Sequence, residues 1–205
     1  TRTDLSNAAF PWLSGQMIDV KLAPAMAMRV NFVGELGWEL HHPIEYQNHI
    51  FDGLMEAGAE FGLKPFGIRA MDAMRLEKSY RLVGTELSIE YAALESGLHR
   101  FVHLNKGDFK GKRQLALWQE NGFANTMVTL EVHEASDADA IGGNPVMTAD
   151  GTVVGRATSG GYGFRLKKSL ALAMVRPDLA IPGTKLMIDI QDQRLPVTVL
   201  EDSPY

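Results

Sequence analysis

Beyond residue 122 the chain holds six short runs rich in β-branched and other apolar residues: "NTMVTLEVHE", "GNPVMT", "GTVVGRATS", "SLALAMV", "TKLMIDIQ" and "LPVTVLE". Turn-forming residues separate them, and Asp150-Gly151 between the second and third runs is a strong two-residue hairpin signal. Each run has the length of one strand and cannot stand alone in water, so the six together imply a small antiparallel barrel or sandwich. The polar stretch "HEASDADAIGGN" interrupts them and, with residues 121–125, is the expected site of proteolytic cleavage.

Residues 1–122 read differently. Met26, Met28, Val30 and Phe32 alternate with Ala27, Arg29, Asn31 and Val33, and beyond Gly34-Glu35-Leu36-Gly37 the alternation resumes in Trp38, Glu39, Leu40, His41 and His42. A period of two around a glycine-bounded loop predicts a β-hairpin. Pairing Val33 with Trp38 sets Phe32 opposite Glu39 and Val30 opposite His41. Glu39 then shares a face with Met28, Val30 and Phe32, while Glu35 lies in the turn. Further on, Tyr46, Ile50, Leu54, Ala57 and Phe61 recur at spacings of three and four, predicting an amphipathic helix that covers one sheet face and ends at Gly58 and Gly62. A second helix is predicted from about Gly67 to Lys78, with Met71 and Met74 inward and Arg69, Asp72 and Arg75 forming a ridge, in its plainest reading a solvated salt-bridge ladder. From Leu98 a strand, a turn at 105–107 and a short helix lead to a boundary near Gly122.

At 205 residues the chain suits one large domain or two small ones, and the two kinds of pattern favour two, 1–122 and 123–205. A formal charge of -5 leaves no electrostatic footprint for nucleic acid. No apolar stretch approaches the length of a membrane-spanning helix. Zero cysteines exclude disulfides, thiolate metal sites and cysteine nucleophiles in this segment and fit a reducing compartment, with the cytoplasm as the expected location. The chain opens at Thr1 and is expected to be a piece of a longer protein.

His99 and His103 have the spacing of a helical metal pair but fall in an alternating run with no further ligand cluster, so they read as ordinary strand residues and no metal site is expected. "SGGYGFRLKKS" lacks the Gly-Lys-Ser/Thr ending of a phosphate loop, and no Gly-x-Ser-x-Gly elbow supports a serine hydrolase. Glu39 remains. In its plain reading it pairs with an arginine such as Arg69 or lies wet at a sheet edge. In its functional reading its two side-by-side acceptors match a flat heterocycle bearing a ring N-H beside an exocyclic amine, with Phe32 as an apolar wall.

Taken in order, "NFVGELGWELHHP", "FGIRAMDAMRLEKSYRLVGTEL", "LNKGDFKGK", "GTVVGRATSGGYG", "LALAMV" and "PGTKLMIDI" resemble the folate-binding aminomethyltransferase family. That family includes the glycine cleavage T-protein and the C-terminal halves of dimethylglycine and sarcosine dehydrogenases, and the resemblance spans essentially the whole chain. It implies an α+β fold, the C-terminal portion of the aminomethyltransferase fold. A helix-bearing antiparallel folate-binding region would be followed by a small antiparallel β-barrel.

The resemblance also implies tetrahydrofolate as cofactor, capturing a one-carbon unit to give 5,10-methylenetetrahydrofolate. The family's pterin-binding glutamate lands on Glu39. The aromatic seven positions earlier, commonly tyrosine, is Phe32 here, and the T-protein's folate-contacting arginine falls at Met71, which makes Arg69 the nearest candidate. The wording of "GELGWEL" and "MRLEKSYRLVGTEL" leans toward the dehydrogenase-linked branch, with FAD in an upstream domain. A stand-alone aminomethyltransferase partnered by a lipoyl carrier protein is one alternative, and a non-catalytic folate-binding or regulatory homologue is another. The family's catalytic aspartate lies upstream of the matched region, so no catalytic residue is assigned and the chain alone is expected to be inactive. Oligomeric state is left open.

Overall fold

The computed structural model describes residues 1–134 and 138–205; residues 135–137, within the polar stretch expected to be cleaved, lie outside the described residues. Two compact units are present, Thr1–Met71 and Asp72–Tyr205.

The first unit is built on an antiparallel sheet of β1 (Gly15–Val20), β2 (Ala23–Met28) and β3 (Glu39–His41), with helix α1 (Gln47–Gly58) following. Alternation along β1 and β2 sends Ile18, Val20, Ala23, Ala25 and Ala27 to one face, where they pack with Phe10 and Ile50 and with the partly buried Leu5, Trp38 and Leu40. The tight turn between β1 and β2 places Lys21 at φ 54°. The Lys21 ammonium pairs with Glu56 at 2.6 Å, and the side chain runs past Gly53, where a Cβ would come within 2.9 Å of it.

The β2–β3 hairpin exists, but in a register four residues from the expected one. Met28 lies opposite Glu39 and Met26 opposite His41, so neither Phe32 nor Val30 is in the ladder. The reason lies at Arg29, which turns inward to donate to the Phe10 carbonyl and to Asn7 Oδ1. Asn31 Oδ1 then accepts from the Gly34 amide at 2.6 Å, so the chain makes its turns over residues 29–38 instead of extending the strands. Because the slip is even, Glu39 keeps its expected face beside Met28. The stripe on α1 is likewise only partly used. Ile50 is buried, but Leu54 and Phe61 stay exposed, because the alanines of β2 offer one shallow contact area. Gly62, at φ 69°, ends the helical stretch.

Helix α2 (Ile68–Glu77) begins in the first unit and ends in the second. In the second unit, helix α3 (Lys112–Asn121) precedes β4 (Thr126–Val132), β5 (Pro145–Met147), β6 (Val153–Gly163), β7 (Lys168–Val175), β8 (Lys185–Ile190) and β9 (Gln193–Leu200). All six strands pair antiparallel in the closed order β4-β7-β6-β5-β8-β9, so of the barrel or sandwich that the six runs imply it is the barrel that forms, as the family resemblance implies. Its interior is filled by Leu130, Val146, Ala171, Ala173, Ile188, Val197 and their neighbours. Strand β7 is buried on both sides, since Leu170, Leu172 and Met174 pack outside the barrel with Leu76 and Met127. The glycines of β6 allow close backbone approach: a Cβ on Gly155 would lie 2.2 Å from the Met174 carbonyl oxygen.

Residues 98–104 are not the expected strand. The Phe101 amide donates to Leu98 O at 2.9 Å and the Val102 amide to His99 O at 3.1 Å, closing a 3-10 turn that satisfies the backbone locally. The ridge of α2 is not a solvated ladder either. Arg69 is exposed, but Arg75 is only 1% accessible, because residues 78–98 fold over the last turn of the helix and enclose it.

Candidate functional site

The open face of the three-stranded sheet carries Glu39. The register aligns Gly15, Met28 and Glu39 in one row across the strands and Met17, Met26 and His41 in the next. The Glu39 side chain is 52% accessible, with the His41 ring Nε2 3.4 Å from one carboxylate oxygen. So exposed a pair contributes little and leaves the carboxylate most of its acceptor capacity. No ion pair joins Glu39 to Arg69 among the described residues, and Arg69 stands exposed near the start of α2. Phe32 is half-buried in the 29–38 loop, and Glu35 is exposed in the same loop, in keeping with its expected turn position. Trp38 anchors that loop, its ring 6.3 Å from Phe10 and 5.5 Å from the Arg29 guanidinium. The structure thus presents Glu39 on an open, thioether-rich surface, while Phe32 and Arg69 occupy separate segments of the same unit.

A second polar constellation lies in the other unit, and sequence reasoning missed it. Glu86 is fully buried. It accepts hydrogen bonds from Thr158 Oγ1 at 2.5 Å, Ser159 Oγ at 2.6 Å, Thr85 Oγ1 at 2.7 Å and the Leu82 amide at 2.9 Å, and Arg75 Nη1 lies 3.4 Å away. Burial pushes this carboxyl up. The bonds from Ser159, Thr158, the Leu82 amide and Thr85 together outweigh burial and hold it below the ordinary glutamate value. Arg75 in turn donates to Asp72 at 2.6 Å and to the Tyr80 carbonyl at 3.1 Å. With its lone pairs taken and its partners enclosed, Glu86 fastens the 78–98 segment to β6. It has no capacity left for a ligand. The adjacent hydroxyls of Thr158-Ser159, beside the glycines of β6, are the only sequence sign of this role.

A third group is exposed. Arg156 on β6 donates to Tyr91 Oη at 2.8 Å and to Glu90, and two shallow clefts of about 370 and 250 Å³ share Tyr91, Gly143 and Arg156 in their walls. Both the cation and the acid of this pair are already satisfied by each other. Among the described residues no cluster of three or more His, Asp or Glu could hold a metal ion, and no helix is long and apolar enough to cross a membrane.

Two family models match the chain. A family model described as the GCVT N-terminal domain matches residues 1–106, and one described as the glycine cleavage T-protein C-terminal barrel domain matches residues 125–205. Mouse mitochondrial dimethylglycine dehydrogenase is 37% identical over 98% of this chain, which spans 23% of that protein. An aminomethyltransferase of Thermoanaerobacter pseudethanolicus is 32% identical over the whole chain, which spans 55% of it. The crystal structure of glycine cleavage system aminomethyltransferase T from Bartonella henselae superposes with a TM-score of 0.80 at 21% identity, over 88% of this chain and 50% of that one. At that identity the likeness shows the fold.

Proposed function

This chain belongs to the glycine cleavage T-protein family of aminomethyltransferases, and we propose that it supplies the folate-binding surface of a one-carbon transfer enzyme. The reaction is capture of a methylene unit, released by oxidation of an N-methyl amine, on tetrahydrofolate to give 5,10-methylenetetrahydrofolate. The observation that carries this reading is Glu39: a carboxylate on an open sheet face, paired with a single exposed imidazole and placed in the family's motif. Tetrahydrofolate supplies the two nitrogens that hold the carbon. Glu39 accepts from the ring N-H and the exocyclic amine of its pterin. Phe32 offers an aromatic surface from the adjoining loop, and Arg69 a cation for a folate carboxylate.

In this organisation residues 1–122 form part of the folate-binding domain and residues 123–205 the barrel, while a flavin that oxidises the amine belongs to a domain outside this chain. The higher identity to dimethylglycine dehydrogenase than to the Thermoanaerobacter aminomethyltransferase favours the N-methyl amine as donor. A second reading, a stand-alone aminomethyltransferase served by a lipoyl carrier protein, draws on the similarity of the whole chain to aminomethyltransferases, 32% identical in one relative and 35% in another. Calorimetric titration of tetrahydrofolate into the parent protein that carries this chain, and into its Glu39→Gln and Glu35→Gln variants, tests the assignment. Glu39→Gln turns one attraction into a clash and is expected to weaken binding most. Equal affinity in Glu39→Gln, or a larger loss in Glu35→Gln, overturns it.

A further inference from the structure

In the second unit, the pair of Arg156 and Glu90 is balanced in charge but not in hydrogen bonds. Of the five N-H donors of a guanidinium, Arg156 places Nε on the Tyr91 hydroxyl at 2.8 Å and one Nη2 hydrogen on Glu90. The end of the fork, Nη1 with the rest of Nη2, makes no hydrogen bond among the described residues, and the side chain is 51% accessible. Tyr91 accepts from Arg156 and so keeps its own O-H to donate. Its ring is fixed from behind, packed against the apolar cluster of Leu76, Met127, Leu170, Leu172 and Met174.

Two clefts meet at this bridge and share Tyr91, Gly143 and Arg156. The larger, of about 370 Å³, adds the apolar side chains of Pro145 and Val153, and the smaller, of about 250 Å³, adds Ser88 and Glu90. Gly143 sits at φ 96°, and a Cβ there would meet nothing within 4 Å, so the shared wall is open where a side chain would stand. The larger cleft has the volume of a small-molecule site, with a few convergent polar groups beside an apolar wall. All these walls belong to one compact unit, Asp72–Tyr205, and a directed cation marks the place.

We propose that this cleft is a second ligand site, which takes a small monocarboxylate with a flat apolar body, and that Glu90 is its built-in stand-in. The ligand carboxylate accepts two parallel N-H bonds from the end of the Arg156 fork and one bond from the Tyr91 O-H, while its body lies against Pro145 and Val153. Glu90 reaches the same guanidinium with one oxygen from a side chain 60% accessible, and so exposed a pair contributes little. A ligand that brings both oxygens displaces it. A dianion is disfavoured, because Glu90 stays beside the single cation, and Glu95, which accepts from both Asn125 amides, lies behind the same wall. Glu90 belongs to the 78–98 segment whose inner anchor is the buried Glu86, so binding exchanges the outer tether of that segment and leaves the inner one in place. The site is independent of Glu39, since none of its walls belongs to the three-stranded sheet.

The test uses the parent protein that carries this chain, titrated with benzoate as probe and followed by ligand-observed NMR, with the neutral benzamide and the dianion phenylphosphonate as controls of the same body. Arg156→Gln is expected to weaken benzoate about tenfold, and Arg156→Lys about fivefold, since lysine keeps the charge and loses the fork. Tyr91→Phe removes one donor and is expected to cost about threefold. Glu90→Gln removes the stand-in and is expected to strengthen benzoate about threefold, a gain that cannot arise from loss of the fold. Both controls should bind more weakly than benzoate, and saturating tetrahydrofolate should leave benzoate bound. Absence of benzoate binding, equal binding in Arg156→Gln, or unchanged or weaker binding in Glu90→Gln overturns the proposal. A control that binds as well as benzoate overturns the monocarboxylate, and displacement of benzoate by tetrahydrofolate overturns the separate site.

Discussion

Glu86 and Glu39 stand in the two units of this chain in opposite circumstances. Glu86 is enclosed, accepts from three hydroxyls and an amide, and faces a guanidinium that is itself enclosed. Glu39 is half in solvent with one imidazole beside it. Both are glutamates in short motifs of similar look, and neither motif says which will be buried. Saturation of the lone pairs separates them: a carboxylate with every acceptor taken holds structure together, and one with acceptors to spare is available to a ligand.

The largest test of that contrast is Glu86→Ala. It leaves the buried Arg75 with only the half-exposed Asp72 as charge partner, removes the acceptor of Ser159, and takes one bond each from Thr85, Thr158 and the Leu82 amide, so unfolding free energy should fall by about 3–5 kcal/mol in denaturant titration. A loss below about 1 kcal/mol would break the comparison at its closed end. Its pH dependence has a definite sign. The folded carboxyl is held below the ordinary value of 4.5, so its contribution is complete above that pH and disappears as the pH falls further, through the folded value. The decline of stability below pH 4.5 should be shallower in Glu86→Gln than in the unaltered chain.

At the open end, Glu39→Gln should leave the melting temperature unchanged while weakening tetrahydrofolate binding by roughly 2–4 kcal/mol, the worth of two charge-assisted hydrogen bonds after partial replacement by water. A fall in melting temperature with unchanged affinity would make Glu39 a structural residue like Glu86. Gly155→Ala probes the closed unit away from any charge: its new methyl meets the Met174 carbonyl, and the strain should cost about 1–3 kcal/mol of stability. Phe32→Ala gives the smallest effect, about 1 kcal/mol in folate affinity from lost stacking, measured by the same calorimetry. An effect on stability larger than that on affinity would assign the ring to the loop's own packing.

The strands of the barrel were legible because each carries its own signal, a short apolar run between turn residues, but the runs alone allow a sandwich as well, and closure rests on the long-range pairing of β4 with β9 that no local pattern shows. The hairpin was legible in kind and in facing but not in register. Gly34 and Gly37 mark a turn, and nothing in the local pattern shows that Arg29 will leave the ladder to bond the Phe10 carbonyl. Arg75 was the least legible. Its spacing with Arg69 and Asp72 describes the helix surface, and only the aperiodic segment 78–98 folding over that surface decides that one arginine of the ridge is buried and another is not. Glu39 was singled out by a local conflict, a charge set among alternating apolar residues, and such conflicts are visible before any tertiary contact is known. Glu86 offered no such conflict, since its neighbours Thr85 and Ser88 are polar too.

The closed order of the barrel also dictates when it can form. β4, the first of its strands in sequence, is hydrogen-bonded on one edge to β7 and on the other to β9, the last. Beyond β9, Ser203 bonds back to Ser79, Asp202 pairs with Arg81, and the Tyr205 amide reaches the Glu77 carbonyl. The contacts that shut the barrel are therefore those most distant along the chain, and loop-closure entropy opposes them until the inner hairpins are in place. During synthesis, β4 must wait with one edge unpaired until residues near 200 have emerged. A growing chain of this kind spends its time before closure as an open sheet, and chaperone demand should concentrate in that interval.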